Sequence, residues 1–529
     1  MGKRFNIAAD CKPHLHFMVN IDGRLAQIKE MVDNGDYFTI NRARQYGKTT
    51  TLKALARFLA GDYTVLRLDF QQLSHRDFET EHFFAGAFCR VLMNKYGAKG
   101  MIPDKILERM QQFSQELKMA PTLRGLFECF HEWCQIAPKP LVLMVDEVDN
   151  ASNNQIFLDF LAGLRNGYID RDESPFFQSV ILAGIYDIKN LKQKFVPDGG
   201  HNWNSPWNIA VDFCVDMSFS PEDIAGMLLE YEGCYQAGMD VAGMAGLIYD
   251  YTDGYPYLVS YICKMLDEQI AGNGSFLDRA SAWTKEGVVR AVSDMMKRPA
   301  ALFDDMKKKL EDYPELRNML YAILFNGREF PYNPDSQAFD IGTMFGFLKE
   351  AEGKAVVANR IFEIRMYNYF LSEDMLKQLD CPLPSFEKNQ FIRDGFLDMD
   401  LVMEKFLEYF TDVYRESDAR FLEENGRRLF LLYLRPIING VGNYYVEAQT
   451  RNATRTDVVV DYHGRQYVIE MKIYHGDSYN RRGEEQLAGY LDAYHLEKGY
   501  LLSFNFNKNK KAGIKTVACK GKQLLEVVV

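Results

Sequence analysis

Residues 37–61 read YFTINRARQYGKTTTLKALARFLAG, and the fold of the first half of the chain turns on them. YFTI is a short strand candidate. TTTLKALARFLAG places Leu52, Leu55, Phe58 and Leu59 on one face of a helix. A strand, a polar loop and a helix in that order make a phosphate site, because a helix N-terminus presents unpaired N–H groups and the positive end of its dipole. The pattern GxxxxGK[ST] adds a lysine for the terminal phosphates and a hydroxyl for magnesium. The matching window is Arg42–Thr49, with Gly47, Lys48 and Thr49 in place and Thr50 behind them. Arg42 stands where the first glycine belongs, and a residue with a Cβ resists the positive φ that glycine supplies.

A second stretch supports the site. LVLMVDEVD, residues 141–149, is an apolar run that ends in acids, as a buried parallel strand does. Asp146 at its end would hold magnesium together with Thr49, and Glu147 would orient or deprotonate an attacking water. TVLRLDF at 64–70 and SVILAGI at 179–185 are two further strands, with helical stretches at Phe83–Tyr96 and Lys105–Cys134. Strands alternating with helices predict an open α/β sheet with its ligand at the C-terminal strand ends. A polar sensor residue is expected after SVILAGI, where Tyr186 and Asp187 are the candidates.

From about residue 216 the pattern turns helical. Ser220 caps SPEDIAGMLLEYE, with Pro221 at the first helical position. More helices are expected at Leu258–Ala271 and Lys285–Met296. Short strands are expected at Ala355–Ala358 and Ile361–Glu363, in a helical or winged-helix module over 301–376. Asp253-Gly-Tyr-Pro256 reads as a helix-starting turn or a lid contact. CPLPSFEKN at 381–389 is the best linker.

YFTINRARQYGKTTTL, VDEVDN, SPEDIAGML and DGYPYLV together resemble the AAA-ATPase-like bacterial proteins, which are P-loop NTPases. The resemblance runs over about residues 5–376. It implies ATP as the bound nucleotide, with Arg42, Arg44, Gly47, Lys48, Thr49, Thr50 and Asp146 around it. That family commonly carries arginines ahead of GK, as at Arg42 and Arg44. The resemblance is compatible with homo-oligomers, as rings or dimers.

Near the C-terminus, residues 454–472 read TRTDVVVDYHGRQYVIEMK. His463-Gly464 makes a turn between two strands. Glu470 and Lys472 are two apart, hence on one face. Asp457 and Glu470, helped by Glu447, can hold Mg²⁺ or Mn²⁺, and Lys472 can orient water or stabilise charge on a phosphate. EEQLAGYLDAYHL follows as a helix with Gln486 and Tyr490 on one face; Gln486 would fix the substrate or the lysine. These residues resemble the PD-(D/E)xK nuclease superfamily over about 400–510. The residue pair before the aspartate, Arg455-Thr456, departs from the proline or glycine-arginine frequent there.

Composition bounds the rest. The 529 residues exceed one core and suggest two to four domains. With 37 Phe and 30 Tyr the chain is not disordered. Nine cysteines without a CxxC pair argue against a disulfide framework and a zinc knuckle. No apolar stretch is long enough to span a membrane and no signal peptide is visible, so the cytoplasm is the expected location. The net charge of −11 does not suggest a nucleic-acid coat. Residues 441–529 nonetheless hold 13 basic against 10 acidic side chains. The run Lys508, Lys510, Lys511, Lys515, Lys520 and Lys522 reads as a solvated tail or as a phosphate-contacting edge.

The expected fold is therefore α/β. A P-loop parallel sheet covers 1–215, a helical lid with a winged-helix-like region covers 216–376, a linker covers 377–395, and an α/β restriction-endonuclease-like domain covers 396–529. The expected function is an ATP-binding and ATP-hydrolysing protein with a metal-dependent nuclease domain acting on nucleic acid, with DNA preferred. The alternatives are a nucleotide-controlled switch whose last domain only binds nucleic acid, and a phosphohydrolase acting on nucleotides.

Overall fold

The structure, a computed structural model, describes residues 2–115, 122–151, 154–185, 206–326, 328–377, 388–413, 423–438, 442–449, 455–474, 477–494, 496–506 and 512–529. Side chains of some residues inside these elements, Glu447 and Asp457 among them, lie outside the description. The chain forms two compact units. The first comprises Met1–Phe219 with Tyr255–Tyr257 and Met344–Gly346, and the second holds the remainder.

In the first unit α1 (Asp22–Asp33) precedes β1 (Phe38–Asn41), and α2 (Lys48–Phe58) precedes β2 (Thr64–Asp69). Next come α3 (Glu81–Tyr96), α4 (Asp104–Gln115), α5 (Leu123–Ile136), β3 (Leu141–Asp146), α6 (Gln155–Ile169) and β4 (Ser179–Gly184). The strands form a parallel sheet in the order β1-β4-β3-β2, and Val211 adds a parallel bridge to Phe38. Every residue of β3 and β4 is buried, and the alternation of side chains divides them between two cores. Val142 and Met144 pack with α1 and α2 through Ile28, Leu52 and Leu55. Leu143 and Val145 pack with α3, α5 and α6 through Phe88, Phe130 and Phe160.

Two expectations need correction here. The helical stretch Lys105–Cys134 is two helices, because Thr122 caps a new one by accepting the Gly125 N–H at 3.1 Å. Phe58 does not share the buried face of α2. It is 41% exposed, while Leu52, Leu55 and Leu59 are fully buried.

The second unit opens with α7 (Pro221–Tyr235), where the Ser220 hydroxyl accepts the Asp223 N–H at 3.1 Å and Asp223 returns the bond, completing a capping box. It continues through α8 (Val241–Thr252), α9 (Pro256–Met265), α10 (Arg279–Ala282), α11 (Lys285–Lys297), α12 (Ala301–Asp312), α13 (Pro314–Asn326) and α14 (Gln337–Met344). A small antiparallel hairpin, β5 (Leu348–Ala351) and β6 (Lys354–Val357), leads into α15 (Arg360–Lys377). The strand expected at Ile361–Glu363 is instead the first turn of α15. Asn359 accepts the Phe362 N–H at 2.9 Å and so starts a helix there.

The expected linker falls mostly outside the described residues. Past it, a two-residue ladder joins β7 (Ile392–Arg393) to β8 (Phe396–Leu397). Then come α16 (Met399–Val413), α17 (Glu423–Ile438), β9 (Gly442–Gln449), β10 (Arg455–Tyr462), β11 (Arg465–Ile473), α18 (Asp477–Ala493), β12 (Lys498–Phe504), β13 (Gly513–Cys519) and β14 (Lys522–Val528). The six strands form one mixed sheet in the order β13-β14-β12-β11-β10-β9. His463 and Gly464, at φ +50° and +79°, form the two-residue turn between β10 and β11. Both positive angles suit the right-handed twist of a hairpin.

Helices cover both faces of this sheet. Phe504 of β12 packs on Phe410 of α16, with ring centroids 5.4 Å apart. Gly499, on the opposite face of the same strand, approaches Leu487 and Leu491 of α18.

Candidate functional sites

The first site lies between β1 and α2. Gln45 and Gly47, at φ +58° and +80°, bend the loop so that α2 begins at Lys48. A substitution at Gly47 would strain the backbone even though open space surrounds it. Lys48 is 8% exposed. Its ammonium donates to the carbonyls of Arg42, at 2.8 Å, and Ala43, at 3.0 Å. Burial holds its pKa below the ordinary lysine value, and the Asp149, Glu147 and Asp146 carboxylates oppose that shift.

Arg42, in the place of the missing glycine, turns its guanidinium to the Val215 carbonyl at 2.9 Å and over the Phe213 ring. What Arg42 offers the interior of the loop is its carbonyl oxygen. Arg44 is exposed, and its carbonyl accepts from the Tyr255 hydroxyl, whose ring meets Tyr46 edge-on at 4.6 Å. Tyr255, which belongs to the first unit, thus touches the phosphate loop. The Thr50 hydroxyl accepts the Cys11 N–H at 3.2 Å.

Asp146 is fully buried at the end of β3, hydrogen-bonded to Thr49 and accepting the Glu147 N–H at 3.1 Å. Burial raises the pKa of Asp146 and of Glu147, and in both the neighbouring carboxylates raise it further. Glu147 itself sits at φ +56°, a left-handed conformation that costs roughly 1 kcal/mol or more for such a residue. Two acids escaped the reading of the sequence. Asp69 ends β2 directly in register with Asp146, and Asp149 accepts the Ile185 N–H at 2.7 Å. Asp69 shows the same signal as Asp146, an acid ending an apolar strand. The sensor candidates Tyr186 and Asp187 lie outside the described residues.

The second site lies on the C-terminal sheet. Glu470 is 1% exposed and 2.9 Å from the ammonium of Lys472, which is 16% exposed. Both stand on the α18 face, since Glu470 is level with Leu501 of β12 and Gly483 of α18 approaches Lys472 and Leu501. The β10–β11 register runs from Tyr462↔Arg465 to Val458↔Ile469, and Asp457 and Glu470 are the next residues of the two strands. On the other side, Asp457 and Glu447 stand between the pairs Thr456↔Ala448 and Val458↔Val446. Their side chains lie outside the described residues. Among the described residues no group of three His, Cys, Asp or Glu is placed to hold a metal ion.

Gln486 is exposed on α18 and donates to the Tyr490 hydroxyl one turn on, so the two share a face as expected. The sequence did not single out Glu526, which is 1% exposed on β14, level with Leu501, and paired with Lys515 at 2.7 Å. Glu484 of α18 faces the same group. Burial first, and the Glu526 charge second, raise its pKa.

Within the basic run at the C-terminus, Lys515 and Lys522 do not lie in a free tail. Lys515 and Lys522 belong to the β13–β14 hairpin, and Lys522 pairs with Glu497 at 2.9 Å and Asp492 at 3.2 Å. The charge of Lys515 on the edge strand β13 discourages pairing with other sheets. Lys508, Lys510 and Lys511 lie outside the described residues.

Comparison with solved structures finds a Walker-type ATPase of Pyrococcus abyssi at 14% identity and a TM-score of 0.47, covering 69% of this chain and 99% of that one. The ORC2 protein of Aeropyrum pernix, in ADPNP and ADP complexes, is similar at 11% identity and a TM-score of 0.41, covering 67% and 95%. The ORC1 protein of the same organism, solved in complex with DNA, gives 11% and 0.32, covering 68% and 94%. No curated protein matches the chain. A family profile described as an AAA-like domain matches residues 18–292, just over half of the chain. That span contains the whole parallel sheet, the Arg42–Thr50 loop and the Asp146–Glu147 strand end, and leaves out the C-terminal mixed sheet. The chain belongs to the AAA-like domain family.

Proposed function

We propose that the chain binds and hydrolyses ATP at the Arg42–Thr50 loop and carries a metal-dependent nuclease centre on its C-terminal sheet. The observation that carries the second half is the placing of Glu470 and Lys472 on one face of β11, with Asp457 and then Glu447 next across the ladder. The order α17-β9-β10-β11-α18-β12, an antiparallel meander followed by a helical crossover to a parallel strand, supports the same reading.

At the first site, Lys48 would leave the Arg42 and Ala43 carbonyls for the terminal phosphates, and the loop N–H groups would receive the rest. Thr49, in the first turn of α2, and Asp146, at the end of β3, are hard oxygen donors, which suits Mg²⁺. Glu147, with its pKa raised by burial, is placed to orient a water. At the second site the donors are again oxygens, from Asp457, Glu470 and Glu447, and fit Mg²⁺ or Mn²⁺. A bound ion there supplies charge stabilisation for a phosphodiester. Lys472 donates N–H bonds to the attacking water or to the phosphoryl oxygens, and Gln486 holds the substrate strand. DNA is the proposed polymer.

The test is a Mn²⁺ titration followed by electron paramagnetic resonance, with the Lys48→Ala background removing the nucleotide site. The proposal expects one bound ion per chain that is lost in Asp457→Ala/Glu470→Ala. Ion binding indifferent to those substitutions would favour a nucleotide-controlled switch whose last domain only binds nucleic acid.

A further inference from the structure

Helix α18 lies on the strands that carry the second site, and a glycine shows where. A Cβ on Gly483 would stand 3.5 Å from Lys472 Cγ and 3.6 Å from Leu501 Cδ1, and Leu501 is level with Glu470. Gly483 therefore faces the sheet at the Glu470–Lys472 pair. With 3.6 residues per turn, its two neighbours leave the helix on opposite flanks, each rotated about 100° from it. Glu484 marks one flank, because the Glu526 and Lys515 charges act on it and those residues pair across β14 and β13. In the strand order β13-β14-β12-β11-β10-β9 the opposite flank faces β10, the strand of Asp457. Arg482 stands on that flank, and so does Gln486, four residues on. Arg482 is exposed. Among the described residues its guanidinium has no hydrogen-bond or ion-pair partner, and Glu485, three residues on, does not supply one.

Charge decides what such a cation can do. With Asp457, Glu470 and Glu447 as ligands, three carboxylates are offset by Lys472 and one divalent ion. The centre then has no surplus positive charge with which to hold a polyanion. The chain as a whole carries −11 and repels one. A binding cation has to come from beside the centre, and a planar guanidinium matches phosphate oxygens in pairs. We propose that Arg482 clamps a backbone phosphate next to the scissile one, so that the DNA strand runs along the Arg482–Gln486 flank of α18. This rests on the proposed nuclease reading for its substrate and names a side chain that binds it. Arg481, two residues before Gly483, supplies the comparison. It is exposed too, but it projects away from the sheet and its charge acts on Glu484, on the other flank.

The test reads binding rather than cleavage. The full chain and its variants are titrated against a fluorescein-labelled DNA duplex in Ca²⁺ over a series of salt concentrations, with gels confirming that the duplex stays intact. Each phosphate contact releases counterions, so losing one should lower the slope of log K against log salt by about one. Arg482→Gln should show that fall and weaker binding, Arg482→Lys should restore the slope, and Arg481→Gln should leave it as in the wild type. The melting temperature should be the same in all three, because both arginines are exposed. An unchanged slope in Arg482→Gln overturns the inference. An equal fall in Arg481→Gln also overturns it, since the effect would then be one of diffuse charge. Wild-type protein that binds no DNA overturns it together with the nuclease reading. In the other cases the two separate. Binding that depends on Arg482 without metal-dependent cleavage refutes the nuclease reading alone, and cleavage with a slope indifferent to Arg482 refutes the clamp alone.

Discussion

Lys472→Met removes the ammonium beside Glu470 and keeps most of the apolar stem that lies under Gly483. At 2.9 Å and an effective dielectric constant of about 20, the attraction between the two charges is roughly 6 kcal/mol before desolvation. Desolvation cancels much of it, and breaking one partner of a buried pair typically costs ~3–5 kcal/mol. Lys472 keeps some contact with solvent, so the lower end applies, about 3 kcal/mol. The assay is native-state hydrogen exchange of the β11 peptides by mass spectrometry, which reads the opening of this sheet independently of the first unit. The single substitution should lower protection roughly 100-fold. In the double variant Glu470→Gln/Lys472→Met the losses should not add, and the coupling should be about 2 kcal/mol. If the single losses add to within about 0.5 kcal/mol, or if protection in Lys472→Met falls by less than about threefold, the pair does not hold the sheet as argued. The distinction bears on function, since a Lys472 variant that loses activity through unfolding says nothing about catalysis.

Lys48→Ala should weaken binding of a fluorescent ATP analogue by about 100-fold or more, since it removes the one cation that the loop encloses; retention of affinity in a titration would contradict the site. Gly167→Ala would put a Cβ 2.4 Å from Phe176 Cε1 and should cost ~1–3 kcal/mol in urea denaturation of the first unit. Gly226→Ala, in α7 with open space around it, should instead stabilise by about 0.5–1 kcal/mol. Burial raises the Asp461 pKa, and Lys285, Gln466 and Arg360 only partly oppose this, with Glu286 adding to the rise. The stability that protonated Asp461 contributes is therefore complete below its unfolded value and is lost as pH rises through the folded one. Asp461→Asn should melt higher than the wild type at neutral pH, with the difference closing towards pH ~4; a difference independent of pH would contradict this.

Much of the first unit was legible because its signals are local. An apolar run ending in Asp146, a Ser220-Pro221 helix start and a glycine ahead of Lys48 each declare themselves within a few residues. What local pattern does not give is pairing between distant segments. Asp69 has the same strand-end signal as Asp146, but only the β2–β3 register shows that the two residues are neighbours. Phe58 comes close to the helical period of the buried face, yet it lies on the flank of that face and is exposed while its neighbour Leu59 stays in the core. The strand expected at Ile361–Glu363 had Ile361 and Phe362 in its favour, and one Asn359 cap outweighed them. Lys515 was read as part of a basic run and Glu526 was not singled out, because their pairing requires β13 and β14 to come together.

The measurement that tests the account most directly is cleavage of end-labelled DNA and RNA oligonucleotides in Mg²⁺ or Mn²⁺, with and without ATP. It compares the wild type with Lys48→Ala and Glu470→Gln, after hydrogen exchange has shown the variants folded. The account predicts metal-dependent cleavage of DNA by the wild type and its loss in folded Glu470→Gln. Absence of cleavage by the wild type under every combination of metal and nucleotide, or cleavage undiminished in Glu470→Gln, would contradict it.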